Sequence, residues 1–166
     1  MNIQLGKITI NFDLDSPTPF FQVEDKYKVR FGIDNFNREE MEYLIREIFP
    51  NKISCSFLTE TLTPTYSKEK TNIGKYIRIT NWTEERYFSD VEYIMATIQG
   101  VGLKELSNYS VYIKRGLVNP YICFYDEKSI YYISDSVIDI VSSSTEFIES
   151  MKEKYQGKVS DYNDTE

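Results

Sequence analysis

Residues 107–116 read SNYSVYIKRG, residues 119–129 NPYICFYDEKS and residues 130–142 IYYISDSVIDIVS. Each piece alternates or clusters β-branched and aromatic residues between turn signals, the pattern of adjacent antiparallel strands. Side chains alternate across a strand, so Tyr121, Cys123 and Tyr125 point one way and Ile122 and Phe124 the other. Asp126, Glu127 and Lys128 make a short polar turn, and residues 129–133 return beside the first arm, which predicts a hairpin.

Upstream, Ile3, Leu5, Ile8, Ile10, Phe12 and Leu14 alternate in part, as a strand would, until the turn cluster Asp15, Ser16, Pro17, Thr18, Pro19. Phe21, Val23, Tyr27, Val29, Phe31 and Ile33 fall on odd positions, as one long strand or two short ones around Glu24-Asp25-Lys26. Asn37 opens a helix with Glu40 three residues on, as in a capping box; Met41, Leu44, Ile45 and Ile48 form its apolar face and Pro50 ends it. Residues 53–62 read as a strand, 64–74 as a loop and 75–80, KYIRIT, as another strand. Thr83 caps a second expected helix, with Glu84 and Glu85 in its first turn and Tyr87, Val91, Ile94, Met95 and Ile98 as its buried stripe, stopped by Gly100 and Gly102. Ser143 with Glu146 opens a third, whose apolar face is Phe147, Ile148, Met151 and Tyr155. The acidic tail 157–166 is expected to be loosely ordered. The order predicts the α+β class: a largely antiparallel sheet of about six to seven strands with three helices, in one globular domain spanning residues 1–166.

The 166 residues suffice for a full core, since a chain of this size buries roughly 70% of its unfolded surface. The 19 basic and 26 acidic side chains give a formal charge of −7, which disfavours a nucleic-acid backbone as ligand and favours a basic partner. The surplus is aromatic, with 14 Tyr and 10 Phe, a composition suited to a core with wet edges or to a binding face. Cys55 and Cys123 lie in strand-like runs and read as buried free thiols. The start MNIQLGKITINFDLD lacks the features of a signal peptide, and no apolar run approaches the roughly 20 residues of a membrane span, so a cytoplasmic location is expected.

Enzymatic equipment is sparse. The chain has no histidine, which removes the usual neutral-pH base, the Ser-His and Cys-His nucleophile pairs and the commonest zinc ligand. Its seven glycines form no phosphate-binding loop. Asp13 and Asp15 share a strand face and could hold a hard cation, although Asp leading into a Pro-rich turn more often bonds locally. Asp135 and Asp139 invite the same question, with turn and bulge chemistry as the alternative. Lys68, Lys70, Lys75 and Arg78 with Tyr66 and Tyr76 resemble a basic, aromatic patch, but Glu69 interrupts it. Tyr109, Tyr112, Tyr121, Tyr125, Tyr131 and Tyr132 are the candidate binding face, about half of them expected in the core.

Arg86-Tyr87-Phe88, residues 121–126, residues 130–133, Asp135, Asp139-Ile140-Val141, and Tyr155 with Asp161-Tyr162-Asn163 resemble a family of small acidic bacterial proteins, over about half the chain. Where that family tends to have Asp-Arg-Gly, this chain has Asp135-Ser136-Val137. In its overall character the chain is similar to the immunity proteins of bacterial toxin systems. The resemblance implies a cytoplasmic protein, not an enzyme, that neutralises a basic toxin such as a nuclease by direct binding, with no cofactor. Tyr121, Tyr125, Asp126, Tyr131, Asp135 and Asp139 are the expected partner-binding residues. Two alternatives stay open: a nucleic-acid mimic that inhibits a DNA- or RNA-binding protein, and an enzyme using the Asp pairs with a divalent metal.

Overall fold

The computed structural model describes residues 1–160. A short hairpin, β1 (Asn2–Leu5) and β2 (Ile8–Asn11), comes first, then β3 (Lys28–Gly32) and helix α1 (Arg38–Ile48). Four strands follow: β4 (Ile53–Leu62), β5 (Tyr66–Lys68), β6 (Thr83–Phe88) and β7 (Glu92–Val101). Helix α2 (Leu103–Lys114) leads into β8 (Ile122–Tyr125), β9 (Ser129–Ile133) and β10 (Val137–Ser142), and α3 (Thr145–Lys154) closes the series. The main sheet runs β3-β10-β9-β8-β4-β7-β6, with β5 beside the far end of β4, and its ladders are antiparallel. The fold is therefore α+β, with an eight-stranded sheet, a separate two-stranded hairpin and three helices among the described residues.

The β5 and β6 end of the sheet extends beyond the helices, and each face of the sheet carries a packed layer over its middle strands. On one, Met41, Leu44, Ile45 and Ile48 of α1, Leu106, Tyr109 and Ile113 of α2, and Ile148 and Met151 of α3 meet Phe31, Cys55, Phe57, Ala96, Phe124, Tyr131 and Ile140. On the other, Ile3, Leu5, Ile10 and Phe12 of the small hairpin cover Leu58, Tyr93, Met95, Cys123, Ile130 and Val141. Cys55 and Cys123 are buried free thiols in these opposite layers.

The capping box of α1 forms as its spacing predicts: Glu40 N donates to Asn37 Oδ1 at 2.9 Å and Asn37 N to Glu40 Oε1 at 3.2 Å. The 121–133 hairpin also forms, with Asp126 Oδ1 accepting from Lys128 N and Ser129 N at 2.8 Å each. Other expectations are corrected. Residues 83–98 are strands, not a helix: Tyr93 and Met95 pack under the hairpin while Ile94, Ala96 and Ile98 face the opposite way. A strand buried on both sides is apolar at nearly every position, and such a run satisfies helical spacing by accident. Residues 107–114 are helix, not strand, because Leu106, Tyr109 and Ile113 make one stripe against the sheet and Glu105 Oε1 accepts from Gly102 N at 3.0 Å, closing the first turn. Packing of that stripe outweighs the strand propensity of Val111-Tyr112-Ile113. Gly100, at φ +73°, is part of a β-bulge in β7 opposite Ser54, where a side chain would be strained, and terminates no helix.

The N-terminal run folds back at Gly6 into two strands instead of one, and residues 19–27 form short 3-10 turns before β3 begins. Residues 75–80 are not a strand; their start closes the 3-10 turn Ile73–Lys75. Within the segment read as a loop, β5 pairs with β4. Ser144, not Ser143, caps α3, accepting from Phe147 N at 3.2 Å. The first residues of the expected tail are held: Val159 bridges to Phe31, Ser160 N donates to Arg30 O at 2.9 Å, and Lys158 pairs with Glu40 at 2.6 Å. Positions 161–166, including Asp161-Tyr162-Asn163, lie outside the described residues. Among the described residues no helix is long and apolar enough to cross a membrane.

Candidate partner-binding surface

The six residues predicted to meet a partner are mostly used inside the molecule. Asp139 is not in a turn: it lies mid-strand in β10, fully buried, and Arg30 clasps it with Nε on Oδ1 at 2.6 Å and Nη2 on Oδ2 at 2.7 Å. Burial pushes the Asp139 carboxyl above its ordinary value, and the Arg30 bonds pull against that push. Tyr131 is also fully buried, its hydroxyl 3.0 Å from Ser110 Oγ. Tyr125 is half-buried and shares a hydrogen bond with Ser56 at 2.9 Å, and Tyr121 stacks on Phe12 at 4.4 Å while donating to Asp13 O at 2.8 Å. Asp126 serves its turn. Asp135 alone is exposed, at the tip between β9 and β10, bonded to Ser136 Oγ at 2.9 Å.

Tyr121 and Asp135 do meet, across an open cleft of about 340 Å³ also lined by Arg30, Asn119, Tyr132 and Ser134. Arg30 is held there by Asp139 and by the rings of Phe20 and Phe21 at 4.4 and 5.1 Å, so its role in the cleft wall is structural. Asp13, the candidate cation ligand, accepts from Asp15 N at 3.1 Å and Ser16 N at 2.8 Å through Oδ1, the local turn role. Among the described residues no group of three or more His, Cys, Asp or Glu could hold a metal.

The surface best built to receive another molecule is the β5-β4-β7-β6 end of the sheet. Residues opposite one another in an antiparallel ladder point to the same face. The registers therefore align Tyr66, Leu62, Glu92 and Phe88 in one row across four strands and Lys68, Glu60, Ile94 and Arg86 in the next. Glu84, opposite Ala96, extends the same face. β5 and β6 are exposed along nearly their whole length. Phe88 is 75% exposed, Tyr66 54% and Trp82 43%.

The aromatic groups are fixed by their neighbours. Trp82 meets Phe57 edge-on at 5.3 Å and donates Nε1–H to Glu84 Oε1 at 2.8 Å. The Tyr66 hydroxyl donates to Glu60, and that bond raises the phenol above its ordinary value. Arg86 pairs with Glu92 at 2.8 Å. Glu60 and Glu84 form no ion pair among the described residues, so each leaves acceptor capacity beside an aromatic ring. A lysine or arginine from outside would find carboxylate and π-face together.

Sequence reasoning missed this surface. Phe88 falls within the expected helix, Tyr66 within the expected loop, and Trp82 between expected elements. The available signal was the run Thr83–Phe88, too polar on both faces for a core strand and suited to an edge. The sequence patch of lysines and tyrosines is divided: Lys68 and Tyr66 belong here, Lys75 and Tyr76 to a groove beside α2.

No known protein family, no curated protein and no solved structure matches the chain.

Proposed function

We propose that the protein is a binding module of the immunity-protein type, which covers and neutralises a basic protein partner through the β5-β4-β7-β6 face. One observation carries the reading: Glu60 and Glu84, without ion-pair partners among the described residues, flank Tyr66, Trp82 and Phe88 on one exposed sheet face. Aromatic side chains and arginine supply most of the affinity at protein interfaces, and Trp82, Tyr66 and Phe88 are of that kind. The charge of −7 steers a basic protein toward the molecule from a distance. The mixed charges of the face, with Lys68 and Arg86 among the acids, suit a protein surface better than they suit mimicry of a phosphate row. No catalytic step belongs to this function.

Co-expression tests it. The basic proteins encoded beside this gene are expressed singly in a host, with and without this chain. Growth restored by the chain for one toxic neighbour, and lost again with Trp82→Ala, is the expected result. Absence of rescue for every neighbour that is toxic contradicts the proposal.

A further inference from the structure

A second site lies apart from that face, in the groove between the start of α1 and the end of α2. We propose that this groove binds a phosphate-bearing anion. Its volume is about 200 Å³, and Arg38, Lys75, Tyr76, Asn108, Tyr112 and Arg115 line it with no acidic side chain. None of the three cations forms an ion pair among the described residues, although the chain has 26 acids for 19 bases. Of the 16 basic residues elsewhere, eight have carboxylate partners among the described residues; the groove is distinguished by bringing three that have none to one spot.

Local structure accounts for these cations only in part: the charge of Arg115 at the C-cap of α2 suits the helix dipole, whereas that at the start of α1 does not. Arg38 is the first residue of α1, where a positive charge opposes the helix dipole. It is nevertheless oriented, Nη1 donating to Asn108 Oδ1 at 3.2 Å across the groove. Arg115 is the C-cap of α2 and Lys75 closes the 3-10 turn, so the three come from separate elements onto one spot. Tyr76 and Tyr112, stacked at 4.6 Å, form a wall that displaces water and strengthens the field the cations create. Two guanidinium forks and an ammonium match the oxygens of a tetrahedral phosphate. The volume accommodates the phosphate group itself, whether free or carried on a larger molecule.

The test is a ¹⁵N-resolved titration of the whole chain with inorganic phosphate and, separately, adenosine monophosphate, against sodium chloride at equal ionic strength. Saturable shifts at the amides of Arg38, Lys75 and Arg115 are expected, with affinity falling at least tenfold in Arg38→Gln/Arg115→Gln. Saturation by phosphate alone assigns a simple anion site, and saturation only by the nucleotide adds the attached group to what is recognised. Because both residues are exposed, melting of the ligand-free variant should match the parent. Shifts that sodium chloride reproduces, or an affinity unchanged in the double variant, overturn the proposal. The outcome is independent of whether the sheet face binds a protein.

Discussion

Arg30 and Asp139, 109 positions apart in sequence, face each other across β3 and β10, and the guanidinium holds both carboxylate oxygens in an interior where Arg30 is 5% and Asp139 0% exposed. Phe20 and Phe21 flank the guanidinium, and Tyr132 lies opposite Asp139 on β9. The pair joins the edge strand β3 to its neighbour β10.

Removing one partner strands the other as an uncompensated buried charge. Arg30→Ala or Asp139→Ala should each cost about 3–5 kcal/mol in denaturant unfolding. Replacing both with apolar residues, Arg30→Met with Asp139→Leu, should recover most of that loss, since the desolvation cost vanishes with the charges. A double variant as unstable as the sum of the singles would show that the pair does more than satisfy itself.

The two thiols should be inert. Burial pushes both Cys55 and Cys123 well above the ordinary thiol value, and the thiolate is the reactive form. A thiol reagent should therefore label neither in the folded chain and both in denaturant. Rapid labelling of either under native conditions contradicts this packing.

Alkaline pH should unfold the protein through its tyrosines. Burial pushes the Tyr125 and Tyr132 phenols up to about 12, and burial likewise raises Tyr109, Tyr121 and Tyr131. The folded chain holds these protons where the unfolded chain releases them near pH 10, so their contribution is complete below pH ~10 and is lost as pH rises through 12. Phenolate absorbance should show part of the 14 tyrosines ionising only together with loss of the folded circular-dichroism signal. Ionisation of all of them near pH 10 in a chain that stays folded would contradict the burial.

At the hydroxyl scale, Tyr131→Phe removes the bond to Ser110 and leaves that serine hydroxyl buried without it. The expected loss is about 1–3 kcal/mol, read from the denaturant midpoint, and no measurable loss would contradict it.

Local chemistry made some elements legible and tertiary burial concealed others. Asn37, Glu40 and Pro50 bracket α1 by capping and by a missing amide, effects that act within a few residues. Asp126 likewise announces the β8–β9 turn through bonds to the amides two and three positions on. In contrast, Tyr93, Met95, Ala96 and Ile98 are all buried because that part of β7 has a layer on each side, a fact that no local pattern contains. The site suffered similarly. Residue type alone points to Tyr131 and Asp139, yet their burial depends on strands and helices distant in sequence. Trp82 gains its setting from the register, which places Glu84, Glu60, Tyr66 and Phe88 on one face beside it.

The central claim, that the sheet face is the binding surface, is tested most directly by titrating this protein with the basic neighbour that the co-expression experiment selects, following the fluorescence of its single tryptophan. Trp82 itself lies in the proposed interface, so a saturable spectral shift is expected. Phe88→Ala should weaken the complex by about 2 kcal/mol or more, roughly thirtyfold, while Tyr43→Ala, an exposed aromatic on α1, should leave it unchanged. A tight complex whose formation leaves Trp82 emission unaltered, and whose affinity is indifferent to Phe88→Ala, would contradict the account.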